Sequence, residues 1–163
     1  MARFAASPHD KLTYYVYPTP YGPVTIAERA GAVCAVALGD VRLDGERRPA
    51  EATNACSTQL LEFFAGKRTS FDVPAVLEGS DFQVRVWRAI EAIPYGQTRT
   101  NREIAEAIGQ PETYRMVGAA VRKNPLAVLV PAHRVVGANG RPTGADRSAQ
   151  LRAAFLELER RHA

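Results

Sequence analysis

Pro131-Ala132-His133-Arg134-Val135-Val136 decides how the rest of this chain is read. An apolar run, Leu126 to Val130, leads into it, and a Gly-rich loop follows it. Apolar and β-branched runs of this length predict two short strands, Leu126–Val130 and Val135–Val136. Immediately upstream, Asn124-Pro125 ends a helix, because the residue before proline is pushed out of the α region. That helix begins near Pro111, a suitable first-turn residue, and reaches about Lys123. Before it, Thr100 caps a helix through Ile108, with Glu103 as capping-box partner and Gly109 as its stop. Farther upstream, Ser80 or Asp81 caps a helix to about Ile93. Its apolar positions Phe82, Val86, Ala89, Ile90 and Ile93 follow helical spacing, and Pro94-Tyr95-Gly96 ends it. Helix, Gly turn, helix is the helix-turn-helix pattern, and the two short strands would form its wing. Downstream, Gln150 to Arg161 reads as an amphipathic helix with Leu151, Phe155 and Leu158 facing inward.

The N-terminal half has a different grammar. Leu12–Tyr17, Val24–Ala27 and Val33–Leu38 read as strands, with turn chemistry at Pro18–Pro23 and at Gly31. Thr53–Phe64 has helical periodicity, with Leu60, Leu61 and Phe64 on one side, and Gly66 stops it. Residues 69–79 are irregular, which sets a domain boundary. The expected fold is α/β of the α+β kind. A sheet-and-helix domain over 1–79 precedes a winged helix-turn-helix domain over 80–163.

The 163 residues are 46% apolar and 23% charged, within the range of ordinary globular proteins. No stretch approaches the roughly 18 to 20 apolar residues that span a membrane. Met1–Lys11 has no apolar core of a secretory signal, so the cytoplasm is the default location. Cys34 and Cys56 are too sparse for a disulfide framework and read as reduced thiols. His9, His133 and His162 are too scattered for a metal site, and no cofactor is implied. Charge is uneven. Residues 80–163 carry thirteen Lys and Arg against eight Asp and Glu, a surplus of five, whereas residues 1–79 carry eight against nine. A basic C-terminal half suggests a polyanionic partner, although a solvated arginine-rich surface gives the same number.

Several patterns, in order and spacing, resemble the O6-alkylguanine-DNA alkyltransferases. They are Phe82-Gln83-Val84-Arg85-Val86-Trp87, Ile93-Pro94-Tyr95-Gly96-Gln97-Thr98, Arg115-Met116-Val117-Gly118-Ala119-Ala120, Asn124-Pro125 and the 131–136 stretch. The resemblance covers the C-terminal half and extends more weakly into the N-terminal half. It implies a DNA-repair protein, monomeric, that binds double-stranded DNA from the minor groove through residues 111–124. Arg115 would take the place of a flipped base, since a guanidinium is planar and bonds an orphaned base. Gly118, Ala119 and Ala120 would allow close approach to the nucleic-acid backbone. Thr100, Asn101, Arg122 and Lys123 complete the implied DNA contacts. His133, Glu159 and Asn124 match a relay that activates a cysteine, and Arg134 an arginine that braces the loop. Locally, His133 also reads as a packed histidine, Asn124 as a helix-ending residue, Glu159 as a surface charge and Arg115 as a solvated one. Val130, Pro131, Ala132, Asn101, Thr143, Gly144 and Ala145 would line the alkylguanine pocket.

Three departures stand out. The family's Pro-Cys-His-Arg-Val pattern has Ala132 at its cysteine, and a methyl group is no nucleophile. Asn101 stands where the family usually has tyrosine. Thr143-Gly144-Ala145-Asp146-Arg147-Ser148 replaces the family's Thr-Gly-Tyr-Ala-Gly-Gly. The alkyltransferase-like proteins also lack the cysteine. Resemblance to them implies a non-catalytic protein that flips and flags O6-alkylguanine for nucleotide excision repair, nucleoid-associated if bacterial. Two other readings stand beside it. One is a methylated-DNA–protein-cysteine methyltransferase carrying a Cys→Ala exchange at 132. The other is a DNA-binding regulator indifferent to the lesion.

Overall fold

The computed structural model describes residues 11–49 and 55–163. The expected helix start at Thr53, the stretch Met1–Asp10 and His9 lie outside the described residues. Two compact units emerge. The first runs up to Glu78 and adds Pro125–Ala127; the second comprises Gly79–Asn124 and Val128–Ala163. The second unit is therefore interrupted, which a single boundary at residue 79 does not anticipate.

In the first unit β1 (Thr13–Tyr17), β2 (Val24–Arg29) and β3 (Ala32–Leu38) form an antiparallel meander. Two residues the sequence reading left out, β4 (Glu46–Arg47), pair in parallel with β1, giving the order β3-β2-β1-β4. Ala30 and Gly31 join β2 to β3, with φ of 53° and 78°. Positive φ at both positions is the two-residue hairpin geometry that matches strand twist. The outer edge of β3 is covered by single bridges from Ala75 and Leu126. Helix α1 (Ala55–Phe64) buries Leu60, Phe63 and Phe64. Leu61, expected on that inward side, is 44% exposed. At 100° per residue the stripe through 60, 63 and 64 excludes it. Gln59 ties α1 to the following loop by accepting from the Asp72 amide (3.1 Å) and donating to the Asp72 carboxylate.

In the second unit α2 (Asp81–Glu91) starts at a capping box between Ser80 and Gln83. The short strand β5 (Arg99–Thr100) leads into α3 (Asn101–Ala107), capped reciprocally by Thr100 and Glu103. Pro111–Thr113 form one 3-10 turn before α4 (Tyr114–Arg122). The helix expected from Pro111 is thus a tight turn first, closed by the Thr113 amide and hydroxyl donating to the Gln110 carbonyl. The Trp87 indole donates to the Ala120 carbonyl at 2.9 Å, fastening α2 to α4.

The expected wing is not a hairpin. Apart from isolated bridge residues at Leu126, Ala127 and Val130, residues 126–130 form no strand, and Val128 has φ of 71°, a left-handed value that a β-branched residue rarely adopts. Val135–Val136, here β6, pair instead in parallel with β5. The last helix, α5 (Arg147–His162), begins a turn earlier than Gln150 because Asp146 caps it, accepting from the Ala149 amide at 3.0 Å. Leu151, expected inward, is only half-buried, while Leu156 and Glu159 join Phe155 and Leu158 inside. No described helix is long and apolar enough to cross a membrane.

Candidate functional site

The site grows from one 3-10 turn, Ala132–Arg134, that follows directly on Val130-Pro131. The Ala132 amide donates to the Val130 carbonyl (2.7 Å) and the Arg134 amide to the Pro131 carbonyl (2.9 Å). Asn124, at the end of α4, donates its side-chain amide to the same Val130 carbonyl at 2.9 Å. These bonds close the 125–130 excursion at its base. All five residues 130–134 are buried, and Ala132 keeps 8% of its surface.

Glu159 organises what surrounds the turn. Sequence leaves it open between a surface charge and a relay member; the structure buries it completely. His133 Nε2 lies 2.5 Å from Glu159 Oε2, and Arg134 Nε donates to both carboxylate oxygens at 2.9 and 3.0 Å. The Gly96 amide donates to Oε1 at 2.8 Å. Arg134 Nη1 in turn donates to the Ile93 carbonyl at 2.7 Å. One carboxylate on α5 therefore joins the Ile93–Gly96 turn to the His133-Arg134 turn. The Gly96 amide and Ile93 carbonyl are backbone groups that side-chain motifs do not name.

The electrostatics follow from these contacts. Burial raises the Glu159 pKa, but the bonds from His133, Arg134 and Gly96 outweigh it, so the carboxyl stays ionised well below the usual range. Burial lowers the His133 pKa against the opposing pull of Glu159, with the Arg134 charge adding to the lowering. The imidazole is therefore neutral near pH 7. Its proton belongs on Nε2, facing the carboxylate, which leaves Nδ1 with a lone pair. This is the protonation state of a base, beside a residue that has no proton to give.

The remaining expected site residues separate into two groups. Arg115, Ala119, Arg122 and Lys123 are exposed on or just after α4. Gly118 and Ala120, expected beside them as small surface residues, are buried. A Cβ at Gly118 would lie 3.2 Å from the Asn101 amide nitrogen, so Gly118 makes room for Asn101 of α3. The Asn101 side-chain oxygen is buried and has no hydrogen-bond partner among the described residues. The Thr100 hydroxyl accepts from the Glu103 amide at 3.2 Å as the α3 cap. Thr143, Gly144 and Ala145 are exposed. Arg152 of α5 donates to the Thr143 carbonyl (3.1 Å), and Asp146 caps α5, so the altered loop serves as the lead-in to that helix.

An open cleft of about 480 Å³ is lined by residues of α2, the turn after it, β5 and α3, Ala89, Ile93, Arg99 and Ala107 among them, and includes none of residues 130–134. Cys34 is half-buried and Cys56 buried, both as free thiols, and burial pushes the Cys56 thiol up to about 12. Among the described residues no group of three or more His, Cys, Asp and Glu could hold a metal ion.

Two family profiles match the chain. The 6-O-methylguanine DNA methyltransferase, ribonuclease-like domain matches residues 12–76, and the DNA binding domain of the same methyltransferase matches residues 81–161. The chain belongs to the 6-O-methylguanine DNA methyltransferase family. It is 41% identical to the methylated-DNA–protein-cysteine methyltransferase of Mycolicibacterium paratuberculosis, over 93% of this chain and 94% of that one. It is 40% identical to the Methanosarcina acetivorans protein of the same name, over 90% and 97%. The Mycobacterium tuberculosis O6-methylguanine methyltransferase superposes with a TM-score of 0.86 at 39% identity, covering 93% of this chain and 94% of that one. Mycobacterium tuberculosis OGT in complex with DNA gives a TM-score of 0.83 at the same identity and coverage. Of the Pro-Cys-His-Arg-Val pattern, the chain carries Pro131, His133, Arg134 and Val135, with Ala132 between Pro131 and His133.

Proposed function

We propose that this member of the methyltransferase family is a non-catalytic DNA-binding repair protein that recognises O6-alkylguanine without removing the alkyl group. Ala132 carries the reading. A methyl group stands on the turn that the neutral His133 and ionised Glu159 support, so the chain has no nucleophile to accept an alkyl group there. Duplex DNA would be engaged from the minor groove along residues 111–124, where Arg115, Arg122 and Lys123 are exposed. Arg115 would fill the gap left by a flipped base, with Val130, Pro131 and Ala132 as the floor of the pocket and Asn101 and Thr143–Ala145 at its entrance. A sensor of this kind leaves the lesion for excision by other proteins, which implies a nucleotide excision repair partner. The DNA complex of the 39% identical Mycobacterium tuberculosis protein supports the DNA-binding part.

The test is a competition gel shift at fixed salt between two identical duplexes, one with a single O6-methylguanine. Preference for the lesion duplex is expected. Equal, salt-sensitive binding to both overturns lesion recognition and leaves a DNA-binding regulator.

One observation favours a second reading, an active methyltransferase with a Cys→Ala exchange. The His133–Glu159–Arg134 arrangement and the Asn124 bond to Val130 are complete although no thiol uses them. Ala132→Cys separates the two readings. Stoichiometric transfer of a labelled methyl group to residue 132 supports the exchange. A folded variant that takes up no label supports a diverged sensor.

A further inference from the structure

At the head of α4 the phenol of Tyr114 gathers two guanidinium groups. Arg102, the second residue of α3, lies with Cζ 4.1 Å from the ring centroid, a stacking distance. Arg115, the next residue along α4, has its Cζ at 5.8 Å. The nearness of the two guanidinium groups, through hydrogen bonding to the phenol and through their charges, holds the Tyr114 pKa below its ordinary value, Arg115 contributing most. Tyr114 is half-buried and both arginines are exposed. No ion pair found among the described residues involves Arg102 or Arg115. The cluster therefore keeps two like charges close together by a ring face and a hydroxyl, without a carboxylate to neutralise them. An unrestrained arginine samples many rotamers and loses that freedom when it enters a ligand. A contact that limits the rotamers beforehand lowers the loss.

We propose that Tyr114 is a positioning residue for Arg115. Its phenol, braced by Arg102 across the turn between α3 and α4, holds the Arg115 guanidinium at the helix head before DNA arrives. The proposal rests on the reading of Arg115 as a DNA-contacting residue and adds what sets its position. Tyr114 touches no DNA in this scheme and acts through Arg115 alone.

A double-mutant cycle on the full chain tests it, with Tyr114→Phe, Arg115→Ala and the pair. The probes are the O6-methylguanine duplex and its unmodified twin, with ultraviolet titration of the phenol as a second readout. Phe keeps the ring under Arg102 and removes only the hydroxyl, so the fold is preserved. Tyr114→Phe is expected to weaken binding to the lesion duplex about threefold and to cost nothing further in the Arg115→Ala background. The difference titration between parent and Tyr114→Phe is expected to show a phenol below the ordinary 10.0 that moves up in Arg115→Ala. If Arg115→Ala binds both duplexes as the parent does, the reading of Arg115 fails and the proposal with it. If Arg115→Ala weakens binding while Tyr114→Phe does not, or the two losses simply add, the positioning role alone is overturned.

Discussion

A buried carboxylate bonded to two basic side chains and an amide is the residue-scale feature with the largest energetic consequence. Glu159 is fully buried and compensates Arg134, so its removal leaves a buried guanidinium without its counter-charge. Glu159→Gln is expected to destabilise the protein by about 3 kcal/mol, read from the urea midpoint at pH 7. A smaller pH effect sits on the same residues. His133 is neutral in the fold with its pKa below the ordinary 6.5, so below that pH the unfolded chain binds a proton that the folded chain refuses. Stability therefore falls as pH drops through 6.5. Glu159, whose pKa is also lowered from 4.5, adds a second loss as pH falls below 4.5. The denaturation midpoint is expected to be flat above about pH 7.5 and to decline from pH 7 to 5. His133→Gln should flatten the upper part of that decline; an unchanged slope would mean that His133 is not the titrating group.

At the scale of elements, the contact of α3 with α4 depends on a missing side chain. Alanine is a better helix former than glycine by about 1 kcal/mol, so Gly118→Ala should stabilise α4 in isolation. The added Cβ, however, comes within 3.2 Å of Asn101, which must give way. The expected result is little net change in thermal stability for Gly118→Ala alone. In an Asn101→Ala background the same substitution should recover close to the full ~1 kcal/mol. Equal effects in both backgrounds would show that Asn101 does not restrain α4. The capping box of Thr100 with Glu103 was readable from spacing, because a cap and its partner are three residues apart, whereas the choice of Ser80 over Asp81, with Gln83 as its partner, came from the structure. The start of α5 was missed for a related reason. Asp146 caps it alone, without an acidic or amide partner at the third helical position. The strand expected over 126–130 failed because apolar content sets burial and not φ.

For the whole molecule, the surplus of five positive charges in residues 80–163 bears on affinity for a polyanion and not on the fold. Each phosphate contact contributes about 0.9 to the slope of log affinity against log salt. Arg122→Ala is expected to lower that slope by about 1 and to weaken binding to lesion and normal duplexes alike. A change confined to the lesion duplex would move Arg122 from backbone contact to lesion reading. The sequence by itself determined the local grammar: three N-terminal strands, the Thr100 cap with its Glu103 partner, the helix-turn-helix order and the alanine at 132. Each of these depends on residues within a few positions of one another, where periodicity and turn chemistry act. Only the tertiary structure decided that Glu159 is buried and that it serves His133, 26 residues away, and Gly96, 63 residues away. It alone decided that Pro125–Ala127 join the first unit and that Val135–Val136 pair with Arg99–Thr100. Such contacts arise where burial leaves a charged or backbone polar group in need of a partner, and that demand exists only once the chain has folded.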